Sequence, residues 1–460
     1  MIQDYKNHML SIVKDSANRK KFLVLFIMCC VFVCCFYRLT MQFRLDDYVA
    51  FSNLDAIDYQ LIAVNALDGY GFTAHFNEEY YRYKIGVKKS YLKEFAKDWD
   101  YFHNRFRFGT DLHVWKPPGY PFFLMRVYKW GISPHNVKLI QVILLSMAAS
   151  FMPLVGFLYW GEIGILSGMI SALMFINFYS PDPSEIMSES LYIFLFAIWI
   201  LLFSIWDKRC RDIFTAFLGI ISGVSLLVKG SCVFVPVFFL VYLFFKLRCF
   251  SYAFKHAFLF VFFLIITIMP WSLYASMRTH SPVLLCSQTM QDVLAGNNEQ
   301  SIRTGEWSPK EGEEYYRRLY KKLETGGRYS EMRMLAFFFS QNYKHIPELL
   351  INKLKVAFYQ DHIKRQDLIG DSHPSGIFWV IISTLLYYGI AFSRRDITCN
   401  QGADPPVFPL IFFTNILLVT LFCYGLYRVV LPFVYPLLIP AAYLPFYLVK
   451  ILTGYIRAKT

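Results

Sequence analysis

Leu191–Trp206 reads LYIFLFAIWILLFSIW, an apolar run without a charged side chain, bounded by Glu189 on one side and by Asp207, Lys208 and Arg209 on the other. Such a run belongs to a helix that crosses a membrane, although it falls short of the ~20 residues usually needed. Comparable runs recur along the chain. Phe22–Tyr37, Val137–Tyr159, Ile163–Phe178, Ile213–Val228 and Cys232–Phe245 are followed by Phe258–Ala275, Ile377–Phe392, Val407–Leu426 and Val429–Val449. With 56% hydrophobic and only 17% charged residues in 460, the composition excludes a soluble domain. The expected fold is an all-α polytopic membrane protein of about 10–13 transmembrane helices. Interfacial helices are expected in a long first outside loop, and a second helical region is expected outside.

The net charge of +13 does not point to nucleic acid, because the basic residues cluster beside apolar runs. If the N-terminus with Lys14, Arg19, Lys20 and Lys21 lies inside, alternation puts three short basic loops inside as well. These hold Lys208, Arg209 and Arg211, then Lys246, Arg248 and Lys255, then Arg394 and Arg395. The tail with Lys450, Arg457 and Lys459 joins them, which is the positive-inside pattern. The first apolar run reads as a retained anchor, since no small-residue cleavage site follows it. Of the ten cysteines, Cys29, Cys30, Cys34 and Cys35 lie in that run, and no CxxC or spaced Cys/His set suggests disulfides or zinc. His345, His362 and His373 likewise lack metal-ligand spacing.

The same alternation places two polar regions outside. In the first, DAIDYQLIAVNAL has apolar residues at helical spacing and ends at Gly69 and Gly71. Asp55 and Asp58 share a face near its start. Asp55 reads as an N-cap with Asp58 favoured by the helix dipole, and either is also placed to take a proton from a hydroxyl. HVWKPPGYP, residues 113–121, forms a stiff corner bearing Trp115, Lys116 and Tyr120, and the apolar segment Tyr120–Trp130 after it is too short to span. Glu189 stands at the mouth of an apolar helix, where it is a dipole-stabilised carboxylate or a group with a task. Lys229 follows LLV, Trp271 and Arg278 lie in PWSLYASMR, and Tyr427 and Arg428 open LYRVVLP. An aromatic beside a cation is an interfacial anchor when taken singly. Together, outside cations accompanied by carboxylates suit a lipid phosphate. In the second region, SPKEGEEYYRRLYKKLE and EMRMLAFFFSQNYKHIPELLINKLKVAFY read as surface helices, with a break at Pro347.

These segments, in this order, resemble the glycosyltransferase C superfamily, nearest to the protein O-mannosyltransferases and the lipid A aminoarabinose transferase. The resemblance is carried by the acidic helix ending in Gly-Tyr-Gly-Phe, by KPPGYPFFL, SESLYIFLF and GVSLLVKGS, by the Pro-Trp segment leading to AGNN, and by the closing LYRVVLP. The chain departs from the family pattern at Lys229-Gly230, where Arg-Pro is usual, and at Tyr427-Arg428, where Arg-Tyr is usual.

The resemblance implies an inverting glycosyltransferase that moves a sugar from a polyprenyl phosphate to an acceptor hydroxyl. The acceptor would be a glycolipid, glycan or protein at the periplasmic face of the bacterial cytoplasmic membrane. It implies Asp55 as the base with Asp58 beside it, and Glu189 as an orienting carboxylate. Lys116, Lys229, Arg278 and Arg428 would hold the donor phosphate, and Tyr59, Tyr120, Trp271 and Tyr427 would contact substrate. No cofactor is required, although a divalent cation fits an acidic rim. The implied division is a leader at 1–21, a membrane core at 22–275 including the outside loop 40–119, an outside helical region at 276–376, and C-terminal helices with a tail at 377–460. Two alternatives are a secondary transporter, which needs ionisable residues near span centres, and a polysaccharide polymerase or ligase acting on lipid-linked glycans.

Overall fold

The computed structural model describes residues 2–42, 54–74, 114, 116–280, 282–286, 293–305, 315–316, 318, 330–359, 375–393, 405–422 and 427–459. Among these residues the chain is helical, without strands. It begins with α1 (Ile2–Gln42), α2 (Leu54–Leu67), α3 (Gly119–Tyr128), α4 (Pro134–Met174) and α5 (Glu189–Arg209). There follow α6 (Asp212–Val228), α7 (Phe234–Lys246), α8 (Phe250–Thr279) and α9 (Glu299–Thr304). The last five are α10 (Ser330–Gln341), α11 (Ile346–Tyr359), α12 (Ser375–Ser393), α13 (Phe408–Phe422) and α14 (Tyr427–Lys459). Among the described residues, five helical segments are long and apolar enough to cross a membrane, and four shorter apolar helices accompany them. The protein is an all-α polytopic membrane protein.

The longest apolar segment is two helices. At Gly161 the backbone turns to φ 64°, ψ −139°, and the limbs on either side fold back against each other. Their contact is made backbone to backbone. A Cβ on Gly156 would lie 2.0 Å from the Gly164 carbonyl oxygen, and one on Gly168 would lie 2.4 Å from that of Met152. The helices α6 and α8 use the same device, with Gly219 against the Phe260 carbonyl and Gly223 against Thr267. Within a bilayer there is no hydrophobic drive between helices, so small residues that allow such close packing hold them together. With the hairpin resolved, the apolar segments match the ten runs picked out in the sequence.

The last helix, α14, contains Pro432, Pro436, Pro440 and Pro445. Each proline removes a backbone donor and disturbs the carbonyls of the preceding turn. Side chains of neighbouring helices donate to carbonyls along the same stretch. Thr384 donates to the Leu437 carbonyl at 3.0 Å, Ser171 to Leu438 and Ser167 to Ile439, both at 3.1 Å. These bonds anchor the helix in the protein core, where Phe433, Val434, Leu437 and Leu438 are fully buried.

The two ends of the bundle differ. Where α5 leaves and α6 enters, Asp207 accepts from Lys246 (3.0 Å) and Tyr242 (2.6 Å), and Asp212 pairs with Lys255 (2.5 Å). Lys208, Arg209, Arg211 and Arg248 are exposed there. At the opposite end α5 begins, α6 and α8 finish, and α2 and α3 cover the bundle. The expected interfacial segment is α3, capped by Pro118. In the second polar region α10 and α11 are helical, with a short 3-10 turn at Tyr343–His345. Pro347 therefore sits in the first turn of α11 rather than breaking it, a position where its missing donor is harmless. Most of the charged stretch 308–324 lies outside the described residues.

Gly164→Val should lower the thermal unfolding midpoint of the detergent-solubilised protein, because overpacking costs about 1–3 kcal/mol. Gly389 in α12 has nothing within 4 Å of a built Cβ. Gly389→Ala should raise the midpoint slightly, by up to ~1 kcal/mol of helix propensity.

Candidate active site

The helix α2 starts one residue before Asp55, so Asp55 stands inside the first turn rather than capping it. Asp55, Asp58 and Tyr59 lie at three- and four-residue spacing, on one face. That face meets Lys116. The Lys116 ammonium is 2.6 Å from Asp55 Oδ1, 3.8 Å from Asp58 Oδ2, and 5.6 Å from the centre of the Tyr59 ring. Its side chain is 4% exposed and that of Asp58 is 5%, whereas Asp55 keeps 27%. Asp55 is thus the accessible member of the trio.

A second ion pair lies at the junction of α5 and α6. Glu189, in the first turn of α5, accepts from Lys229 at 2.8 Å. Glu189 is 1% exposed and Lys229 17%, so here the cation is the accessible partner. Lys229 ends α6 in extended backbone, its amide bonded to the Ser225 carbonyl. Two residues on, the Ser231 hydroxyl is 3.2 Å from that of Tyr192, and the Ser231 carbonyl accepts from Asn415 of α13 at 3.0 Å.

The proline corner joins the two pairs. A Cβ on Gly119 would lie 2.8 Å from the backbone of Leu227 and from the Val228 side chain. Only glycine lets KPPG press against the end of α6, and Lys229 follows directly. Tyr59 spans the same gap, with Ser188 as a side-chain hydrogen-bond partner and Asp55, Lys116 and Glu189 all within electrostatic reach. Tyr120 packs edge-on against Tyr59 at 5.0 Å, and its hydroxyl donates to Gln141 at 2.7 Å. Gln141 in turn donates to the carbonyls of Pro183 (3.0 Å) and Glu185 (2.8 Å), fixing the turn that delivers Glu189. Tyr128 donates to Gln60 at 2.8 Å, tying α3 to α2.

The electrostatics follow from burial and charge. Burial alone would lower the Lys116 pKa, but Asp55 and then Asp58 outweigh it and hold the ammonium above the usual lysine range. Burial pushes the Tyr59 hydroxyl up; Lys116 opposes this, while Asp55 and Glu189 add to it. Tyr59 therefore stays neutral. Burial likewise raises Tyr120 well above its ordinary value.

A third wall adjoins the corner. The turn after α2 has positive φ at Gly69 (86°) and Gly71 (82°) and is tied to the helix by Asn65 donating to the Thr73 carbonyl at 2.8 Å. Phe72 packs edge-on against Trp271 at 5.6 Å and Tyr274 at 6.5 Å, in a cluster that includes Val114 and Leu227. Trp271 donates to the Leu285 carbonyl at 2.5 Å. Exposed Arg278 lies over the Tyr274 ring, beside Gly71.

Of the residues chosen from sequence, Asp55, Asp58, Tyr59, Lys116, Tyr120, Glu189 and Lys229 come together, with Trp271 and Arg278 on the adjoining wall. Tyr120 is fully enclosed and Trp271 is 9% exposed, so both hold the site's shape rather than offering a face to a ligand. Tyr427 and Arg428 open α14, but their side chains, like Trp115 as a whole, lie outside the described residues. Ser188, Tyr192 and Ser231 fall within SESLYIFLF and GVSLLVKGS without being candidate site residues, and Gln141 lies outside every motif. A glutamine inside the apolar run Val137–Tyr159 was the one available signal. Among the described residues no group of three His, Cys, Asp or Glu could hold a metal ion, and at Asp55 and Asp58 the positive charge is supplied by Lys116.

Comparison with protein-family models, with curated proteins and with solved structures returned no match.

Glu189→Gln should destabilise the protein by about 3–5 kcal/mol in denaturant unfolding, because it removes one partner of a buried pair. Glu189→Gln with Lys229→Met should recover a substantial part of that loss. Stability contributed by Lys116 is fully present below the unfolded lysine pKa of about 10.4 and is lost only as pH rises through its higher folded value. Between about pH 7 and 9, well below both values, wild type and Lys116→Met should show the same dependence of stability on pH.

Proposed function

We propose that the protein is an inverting glycosyltransferase that uses a sugar carried on a polyprenyl phosphate. The observation that supports this most is the pairing of two ion pairs with opposite accessible members, the Asp55 carboxylate and the Lys229 ammonium. Transfer from a lipid phosphate needs those two groups. A base takes the proton from the acceptor hydroxyl as its oxygen bonds to the anomeric carbon, and a cation receives the charge left on phosphate when the carbon–oxygen bond breaks. The phosphate is already a competent leaving group, so a strong general acid is dispensable.

Asp55 serves as the base, and Lys116 holds its carboxylate in place. Lys229 meets the phosphate while Glu189 aims its ammonium, and Asp58 stabilises Lys116. Lys116 reaches the phosphate only when the donor displaces a carboxylate from it. Arg278 at the rim and Arg428 at the start of α14 add positive charge for the carrier. The order of motifs that resembles the glycosyltransferase C superfamily supports the same assignment.

The exposed basic cluster at the opposite end of the bundle favours that end as the cytoplasmic one. The site then faces the periplasm of a bacterial cytoplasmic membrane, where the acceptor is a glycolipid, glycan or protein.

Membranes carrying the protein should transfer sugar from labelled polyprenyl phosphate hexose or pentose donors. Asp55→Asn should lower stability, because it removes a partner of buried Lys116, and the folded variant should lose activity by roughly 10²–10⁴-fold, the usual worth of a positioned base. Lys229→Ala should lose roughly 10²–10³-fold, as when one charge-stabilising donor is removed. Full activity in folded Asp55→Asn would remove Asp55 as the base.

A further inference from the structure

The turn that follows Lys229 is held from two sides. Gly230–Cys232 is a single 3-10 turn between α6 and α7, closed by the Val233 amide donating to the Gly230 carbonyl at 3.2 Å. Asn415 grips it from α13. This side chain is 0% exposed; its Nδ2 donates to the Ser231 carbonyl at 3.0 Å, and its Oδ1 accepts from the Phe234 amide at 3.2 Å. Phe234 is the first residue of α7, so its amide is one that a helix leaves without an internal partner. An amide side chain buried in an apolar span is costly unless its polar atoms are bonded. Here both ends bond the backbone of one turn, and Asn415 fixes where Ser231 stands.

The hydroxyl of Ser231 is fixed as well. It lies 3.2 Å from that of Tyr192, which stands one turn beyond Glu189 on the same face of α5. Tyr192 is fully buried, whereas Ser231 is half-buried. Of the two hydroxyls the phenol is the stronger acid, so Tyr192 donates and Ser231 accepts. Tyr192 is the one side chain bonded to the Ser231 hydroxyl among the described residues. The hydrogen of Ser231 is therefore left to be donated elsewhere.

The surroundings of that hydrogen select its acceptor. Glu189 is within electrostatic reach of the Tyr192 hydroxyl, so both hydroxyls stand beside the Glu189–Lys229 pair, whose accessible member is the ammonium. Gly230 borders the adjoining wall: a Cβ there would lie 3.6 Å from Leu285, whose carbonyl accepts from Trp271. A half-buried hydroxyl with a hydrogen to give, two positions from an accessible ammonium, suits an anion with several acceptor oxygens.

We infer that Ser231 is a further phosphate-binding residue, giving its hydrogen to an oxygen of the carrier phosphate that Lys229 meets. Tyr192 is its positioning residue, holding the Ser231 oxygen so that the hydrogen points away from the protein core. That the anion is a carrier phosphate rests on the proposed function.

The test is titration calorimetry of the full chain in detergent, comparing geranyl phosphate, a short polyprenyl phosphate, with uncharged geraniol. Wild type should bind the phosphate in preference to the alcohol. Ser231→Ala should weaken geranyl phosphate binding about tenfold, the worth of one hydrogen bond to a charged group, and leave geraniol unchanged. Ser231→Cys keeps the volume but donates poorly, and should lose as much. Tyr192→Phe should weaken the phosphate by a smaller factor. Added to Ser231→Ala it should cost nothing further, because its contribution passes through the Ser231 hydroxyl. Ser204→Ala, which removes a buried hydroxyl near the other end of α5, should bind as wild type.

Wild-type affinity for geranyl phosphate in folded Ser231→Ala or Ser231→Cys, or an equal loss for geraniol, would overturn the inference. A multiplicative loss in the double variant would remove Tyr192 as the positioning residue. If Ser231→Ala fails to fold, Ser231→Cys and Tyr192→Phe decide by the same criteria. If wild type binds geraniol as tightly as geranyl phosphate, the proposed function falls and the inference with it. If Lys229→Ala loses the preference for phosphate while Ser231→Ala keeps it in full, the inference alone falls.

Discussion

One buried ammonium organises the candidate site. Lys116 has lost nearly all its water and is held charged by Asp55 and Asp58. A desolvated lysine with two carboxylates is stable only if the backbone on both sides is fixed, and each structural feature around it serves that end. The prolines at 117 and 118 stiffen the corner. Gly119 lets the corner seat on the end of α6, and Tyr120 is locked to Gln141. Because Gln141 also holds the turn before α5, the same bonds that secure Lys116 place Glu189. The two ion pairs are one construction, and their accessible members are of opposite charge.

The membrane core supplies the rigidity this requires. Glycine-lined contacts between the limbs of α4, and between α6 and α8, bring backbones together where side chains would hold them apart. Hydroxyl groups from α4 and α12 bond carbonyls of the proline-bearing α14 and anchor it in the core. Ion pairs close both ends of the bundle, and the buried pairs lie at the end where α2, α5 and α6 meet.

Much of this was legible in the sequence. Uncharged runs mark the spans, because a bilayer tolerates little else, and the hairpin at Gly161 was visible as two runs separated by a short gap. The acidic face of α2 and the cations at 116 and 229 could be picked out as unusual. Their partnership could not, since Asp55 and Lys116 are 61 positions apart and pairing at that distance is decided by how the corner docks. Spacing favoured Asp55 as a helix cap, yet the helix begins a residue earlier and its carboxylate turns to Lys116. The aromatics at 120 and 271 illustrate a different limit. A ring beside a cation at a membrane boundary reads as a ligand contact or an anchor, and only packing reveals that both are enclosed. Lys353 is the extreme case, because in the sequence it is one of two lysines on an amphipathic helix, yet it is 0% exposed. Conversely, Gly164-x-x-x-Gly168 and Gly219-x-x-x-Gly223 are packing faces that the sequence displays openly.

The most direct test of a single site made from both ion pairs is a cryo-EM structure of the protein with a polyprenyl phosphate sugar in lipid nanodiscs. The expected result is a phosphate in hydrogen-bond contact with Lys229 and an anomeric carbon facing the Asp55 carboxylate. A phosphate bound elsewhere, with Lys229 still turned to Glu189 and no ligand beside Asp55, would contradict it.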